Sequence, residues 1–323
     1  MGNKATEFMH GIRPHIRATR TTKEIMSDVV IALVPALIGS IYFFGIQSLI
    51  LVLTAVTTCV LSEYLWQRLR KEPIRVGDVS AVVTGILLAF NFPATTPIWI
   101  IMVASVFSII VAKQIFGGIG NNFANPALMG RALIMLLWPG NIAQYVTTNH
   151  GAADAVSSAT VLSLLKSGKE IVDYSYLDMF IGNIPGALGE TSKLLLLIGF
   201  LYLCYRQVVN FSATLTYIIT VVAITFIFGG DGFFTGDILT NLLGGGLILG
   251  ACFMITDYPS VAPRVKVSIA FLAGVITAYI RIWGILPEGV CFGILVGNCL
   301  SGLVEQVIRP HIYGVNLKKS NLN

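Results

Sequence analysis

The sequence predicts an all-α polytopic membrane protein of about ten transmembrane helices, arranged as two inverted five-helix repeats with both termini in the cytoplasm. Three observations lead there. Of 323 residues, 55% are hydrophobic and only 11% charged, with a mean hydropathy of +0.80, which is more apolar surface than a soluble fold of this length buries. Ten apolar runs reach spanning length, about 20 residues for a hydrocarbon core of ~30 Å. Finally, "GDVSAVVTGILLAF" from Gly77 resembles "GDILTNLLGGGLILG" from Gly236, a sign of internal repetition.

The runs cover 29–46, 49–67, 77–92, 97–113 and 128–146 in a first half, and 193–209, 211–229, 237–256, 266–284 and 289–307 in a second. Polar segments 1–28 and 308–323 flank them as cytoplasmic tails, and the polar interval 147–192 separates the halves. With the N-terminus inside, seventeen Lys and Arg fall on the cytoplasmic side, Lys113, Arg131 and Lys266 among them, against four outside: Lys166, Lys169, Lys193 and Arg281. That bias sets the orientation. An odd number of spans per half inverts the second half, and interrupted helices where the halves meet are expected to line a site.

Several function classes are excluded. The net charge of +5 lies in loops between spans instead of one basic stripe, so it points to membrane orientation and not to nucleic acid. Cys59, Cys204, Cys252, Cys291 and Cys299 sit singly in apolar segments, without the spacing of a zinc or iron–sulfur site, and are expected to be packing residues. The polar, basic first 28 residues contain no apolar core of a cleavable signal peptide.

Two interruptions stand out. "FGGIGNNFANPALMG", Phe116 to Gly130, carries four Gly, three Asn and a Pro and cannot continue a regular helix. It is either backbone buried at membrane depth beside a cavity or a cytoplasmic loop. Asn122 and Asn125, three apart, would share one face of a short helical start and offer amide groups to a flat heterocycle with imide edges. "GACFMITDYPSVAP" ends the eighth run with Thr256, Asp257 and Pro259, where Asp257 fits a solvated helix end or cap. Glu63, Asp78, Asp237, Asp257 and Glu305 lie at or within spans and are candidates for an ion path, each with a solvated helix end as the alternative.

The polar interval contains "DAVSSATVL", Asp154 to Leu162. Thr160 opens what looks like a short helix, where a threonine serves as N-cap. Its hydroxyl could equally carry a phosphate ester held by the helix terminus and the Ser hydroxyls. No general base accompanies it in the manner of a hydrolase triad; His150 offers no such arrangement.

"DAVSSAT" resembles the Asp-x-x-Ser/Thr-Gly/Ser-Ala-Thr signature at which FMN is joined through its phosphate to threonine in the NqrB/RnfD family of membrane subunits. "FGGIGNNFANPALMGR" and "GACFMITDYP" before "APRVK" resemble further segments of that family, in the same order, so the likeness extends over nearly the whole chain. The resemblance implies covalent FMN on Thr160, attached by a separate flavin transferase, with Asp154, Ser157, Ser158 and Ala159 forming the rest of the recognition motif. It also implies a second, non-covalent flavin, riboflavin, held by Asn122 and Asn125, with Thr84 as a further contact. "NNFANP" departs from the commoner Asn-Pro-Phe-Asn-Pro wording, which weakens that correspondence. "AVSSAT" and the short stretch before the first span resemble the RnfD branch more than the NqrB branch. That branch implies a multi-pass subunit of the plasma membrane in the Rnf complex, which couples ferredoxin and NAD to Na+ or H+ transport, with a second covalent-flavin subunit as partner. Two alternatives are open: an NqrB-type subunit of a sodium-pumping NADH:quinone oxidoreductase, and a flavin-free inverted-repeat transporter or channel.

Overall fold

The computed structural model describes residues 20–142, 144–146, 157–167, 174–209, 211–230, 232–255, 265–286 and 288–307. Asp154, Asp257 and the segments 1–19 and 308–323 lie outside them. The described chain is helical apart from one two-residue ladder, and five helices are long and apolar enough to cross a membrane. It is an all-α polytopic membrane protein.

The elements follow the apolar runs, with shifts whose causes are local. Helix α1 (Thr22–Phe44) starts well before residue 29 because Thr21 and Glu24 cap each other reciprocally, a strong start signal. Asp28 is thereby taken out of the tail and buried in the helix. Helix α2 (Ile46–Leu69) matches its run. The third run becomes a 3-10 turn at Val76–Asp78 and an 11-residue α3 (Ser80–Phe90), about 16 Å of helix. Helix α4 (Ile98–Ile109) runs into a π turn at Ile110–Gln114. Helix α5 (Pro126–Leu137) stops nine residues short of 146, since Pro139 clashes with a continuing helix; a single turn, α6 (Pro139–Ile142), follows.

Between the halves, β1 (Tyr145–Val146) pairs antiparallel with β2 (Ser157–Ser158), and short helices α7 (Val161–Lys166) and α8 (Tyr176–Ile181) follow. The stretch Ile184–Lys193 then turns inward. Leu188 and Gly189 donate backbone N–H groups to Phe92 and Phe90 at 3.0 Å, which satisfies carbonyls at the truncated end of α3. In the second half, α9 (Lys193–Tyr205) and α10 (Phe211–Phe228) are continuous. The eighth run breaks at Gly244–Gly246 into α11 (Ile238–Leu243) and α12 (Leu247–Leu249), the latter passing into a π turn at Gly250–Met254. Helices α13 (Lys266–Trp283) and α14 (Val290–Val307) complete the chain.

Packing repeats between the halves. α2 lies against α4 and α4 against α5, as α10 lies against α13 and α13 against α14; across the halves α1 meets α9 and α5 meets α14. Two close approaches match in detail. A Cβ on Gly130 of α5 would sit 2.1 Å from Ser108 Oγ and 2.9 Å from the Ala104 carbonyl. A Cβ on Gly293 of α14 would sit 2.1 Å from Thr277 Oγ1 and 2.8 Å from the Ala273 carbonyl. In both, glycine faces a hydroxyl and a carbonyl four residues apart on the neighbouring helix, the small-residue contact that membrane helices use to approach closely.

Candidate functional site

Thr160 caps α7, its Oγ1 accepting a hydrogen bond from Ser163 N at 3.3 Å. The capping role is thus real. With six residues, α7 is too short to contribute much of a dipole. What surrounds the hydroxyl matters more: Thr160 and Ala159 line a cavity of about 320 Å³ whose floor is Arg131 and Glu288 and whose wall includes Tyr145. Ser157 and Ser158 stand opposite Val146 and Tyr145 in the ladder, so β2 brings the motif against the cavity wall. Lys166, at the far end of α7, donates to the carbonyls of Ile280, Gly284 and Leu286, and partial burial moves its pKa below the ordinary lysine value. α7 is therefore tethered to the C-terminal end of α13 and to the loop that brings Glu288 into the cavity.

Beneath the cavity lies a buried ionic cluster. Arg131 Nη1 donates to Asn91 Oδ1 at 2.7 Å and Glu190 Oε1 at 3.0 Å, and Nη2 to Glu288 Oε2 at 2.7 Å. Gly246 N, at the break between α11 and α12, donates to the other Glu288 oxygen at 2.6 Å. One guanidinium thus joins α3, the inward loop, the loop before α14 and the broken eighth segment. Among the described residues Arg131 Nε is buried without a partner. Lys193 bonds the Glu190 carbonyl, and Arg281 bonds the carbonyls of Asn241 and Gly244.

Arg131, Glu190 and Glu288 escaped the sequence reading, although an arginine six residues into an apolar helix is a signal of function or pairing. Its place in the count of loop charges needs correcting. Lys113, Arg131, Lys266, Lys193 and Arg281 are buried, so these five do not count as solvated loop charges in the expected orientation.

A second cavity, of about 60 Å³, collects Thr84, Asn122 and Asn125, three residues far apart in the chain. Asn122 is buried and, among the described residues, its Oδ1 has no partner. Asn125 is not on a shared helical face with it: its Oδ1 caps α5, accepting from Ala127 N and Leu128 N, and Asn122 belongs to the loop before, which turns through Gly117, Gly118 and Gly120 at positive φ. Thr84 donates to the Ser80 carbonyl at 3.0 Å. Ser80 and Lys113 also line it, and the rest of the wall is apolar, including Leu87, Cys252 and Phe253. The lone acceptor Asn122 Oδ1 fits an imide N–H; the volume, room for a few waters, requires side chains to move before a tricyclic ring enters. The loop Phe116–Asn125 therefore has both characters foreseen for it, with Gly120 and Asn121 exposed and Asn122 and Asn125 buried.

The candidate ion-path acids divide. Glu63 is buried against Lys113 at 2.9 Å. Asp78 accepts from Ser80 N and Oγ, and Asp237 caps α11 through Leu239 N and Thr240 N. Glu305 is exposed on α14. Among the described residues no group of three or more His, Cys, Asp or Glu is arranged to hold a metal ion.

Comparison with known proteins agrees in extent with the motif order. Residues 10–314 match the family model described as "NQR2, RnfD, RnfE family". The chain is 43% identical over 306 residues to the D-type subunit of the Na(+)-translocating ferredoxin:NAD(+) oxidoreductase complex of Acetobacterium woodii, covering 94% of each. It is 36% identical over 322 residues to the D-type subunit of the proton-translocating ferredoxin:NAD(+) oxidoreductase complex of Clostridium ljungdahlii, covering 96% of this chain and 97% of that one. To the D-type subunit of the ion-translocating oxidoreductase complex of Stutzerimonas stutzeri it is 33% identical over 328 residues, covering 91% and 92%. Matched along nearly its full length, with Thr160 and the two asparagines each lining a cavity, the chain belongs to the NQR2, RnfD, RnfE family.

Proposed function

We propose that this chain is the D-type membrane subunit of an Rnf ferredoxin:NAD oxidoreductase, that it carries FMN on Thr160, and that it relays electrons across the plasma membrane in step with Na+ or H+ translocation. The observation that carries this is the coincidence of the family's flavin-attachment threonine with a cavity of about 320 Å³ floored by Arg131 and Glu288, a size suited to a cofactor ring. An ester at Thr160 Oγ1 keeps the oxygen lone pair that accepts from Ser163 N, so attachment and capping are compatible.

Riboflavin is assigned to the cavity of Thr84, Asn122 and Asn125. Both cavities touch α5: Asn125 and Arg131 are six residues apart, about 9 Å along the axis, and α3 runs beside them from Thr84 to Asn91. The flavins supply one-electron chemistry; the protein supplies position, exclusion of water and charge beside the rings. Ten spans in two inverted halves, both termini inside, put the Thr160 loop on the extracytoplasmic face and the asparagine loop on the cytoplasmic one. Electrons then pass between a second covalent-flavin subunit outside and redox partners inside. The named relatives differ in ion, Na+ in one and H+ in another, so the family leaves the ion open. Their naming as parts of ferredoxin:NAD(+) oxidoreductase complexes favours this arrangement over a quinone-linked one.

The test is the intact mass of the protein and of Thr160→Ala, each co-produced with a flavin transferase and run on a denaturing gel under ultraviolet light. An FMN-sized increment and a fluorescent band, both lost with Thr160, support the proposal. No adduct on either, with transferase activity verified on a known acceptor, sinks it and favours a flavin-free transporter.

A further inference from the structure

A third cavity, of about 250 Å³, opens among the loops beside the 3-10 turn and the π turn, and it is lined by Glu63, Gln67, Glu72, Asp78 and Gln114. It does not merge with the Asn122 cavity. Ile119 lines both, and hydrogen-bonded side chains connect one to the other. Lys113, from the π turn, lines the Asn122 cavity and is buried together with Glu63. Its Nζ donates to Glu63 Oε2 at 2.9 Å and to Ser80 Oγ at 2.6 Å. Ser80 Oγ donates in turn to Asp78 Oδ1 at 2.5 Å. Glu63 and Asp78 both line the polar vestibule, so each of these two acids reaches the inner cavity through the same ammonium.

Resting on the assignment of a flavin to the Asn122 cavity, we propose that Glu63 and Lys113 form a proton relay joining the polar vestibule to that cavity. A ring buried among apolar side chains that takes up an electron from the redox carriers of the complex gains a charge that is costly there. Lys113 would neutralise it: the Nζ–H bond breaks as an N–H bond forms on the reduced ring, and the Glu63 carboxylate then takes a proton from the vestibule and passes it to the neutral amine, restoring the ammonium–carboxylate pair. One proton enters per electron, and the charge of the pair is unchanged at the end. On oxidation the same steps run backwards. The groups facing Lys113 are Glu63 and Cys59 of α2, Ser80 of α3 and, through Ser80, Asp78; Gln67 and Gln114 hold the other Glu63 oxygen at 3.3 and 2.6 Å. Those two amides fix the carboxylate while leaving Oε2 to the lysine. The π turn serves this arrangement, because the extra residue per turn brings Lys113 and Gln114 together onto Glu63.

The experiment uses the complete complex carrying Lys113→Arg, which keeps a cation beside Glu63 but cannot release a proton, and separately Glu63→Gln. Non-covalent flavin is quantified by acid extraction, and its reduction is followed by rapid mixing in H2O and D2O. We expect extractable flavin at the unaltered level, reduction of that flavin slowed by about a hundredfold in both variants, loss of its solvent isotope effect, and an unchanged phase for the covalent flavin. Unaltered rates, or slowing that keeps the full isotope effect, would overturn the relay alone. An unaltered complex without extractable flavin overturns the flavin assignment and the relay with it.

Discussion

Lys113 and Arg131 are both buried cations in the membrane domain, and they are embedded differently. Arg131 spends its planar fork on Asn91, Glu190 and Glu288, so it ties the first half to the inward loop and to the loop that opens α14. Lys113 bonds Glu63 and Ser80, all within the first half. A guanidinium is permanently charged and fixed in geometry, whereas an ammonium is a compact point charge that can give up a proton. The chain thus has an arginine where segments must be held together and a lysine where two cavities nearly touch.

Removing each cation is the most direct way to break that contrast. Arg131→Met leaves two buried carboxylates facing each other, and we expect it to cost about 3–5 kcal/mol, seen as failure to assemble or a collapsed melting temperature in detergent. Recovery of part of that loss in a triple variant with Glu190→Gln and Glu288→Gln would support the pairing; no recovery would refute it. Lys113→Met strands only Glu63, which retains Gln67 and Gln114, so its cost should be smaller, about 1.5–3 kcal/mol, with the halves still associated. Equal losses for the two would erase the distinction.

A second pair of variants tests the correspondence of the two glycine contacts. Gly130→Ala and Gly293→Ala meet the same hydroxyl-and-carbonyl environment and should each lower stability by about 1–3 kcal/mol; a large effect at one and none at the other would contradict it. A weaker effect is expected from Lys166→Ala, which frees α7 from three carbonyls. Amides of α7 should exchange about fivefold faster, equivalent to ~1 kcal/mol, while those of α13 stay unchanged. Least of all, Arg206→Ala removes an ion pair with the buried Asp28 in which the arginine is 40% exposed and Tyr202 remains as a donor to the carboxylate, and the small shift in melting temperature should diminish in about 1 M salt.

The legibility of the chain follows the same division. Helices α10, α13 and α14 could be placed from their apolar runs because nothing in them interrupts the pattern. Residues Gly244–Gly246 and Pro139 broke runs that hydropathy alone treats as continuous, since an averaging window ignores backbone chemistry. The cations were the larger omission. Counting Lys113, Arg131, Lys193 and Arg281 as solvated loop charges is what the orientation rule invites, and all four are buried with partners. Glu190 and Glu288 went unremarked because each lies in an interval between the apolar runs, and only tertiary structure brings them to Arg131. Thr84, Asn122 and Asn125 were grouped through the family resemblance, and all three line one cavity, which no local pattern could have shown.

The matching contacts of Gly130 and Gly293 bear on how such a protein arises. In each half the loop that precedes the last helix ends at a cavity: Asn122 and Asn125 before α5, Leu286 and Glu288 before α14. Under the inverted repeat proposed above, these two loops are counterparts that have diverged, with amides in one and an acid in the other. The two flavin positions proposed for this chain then need no separate origin, and ancestral-sequence reconstruction of the halves should converge on a single loop with a single ring-binding role.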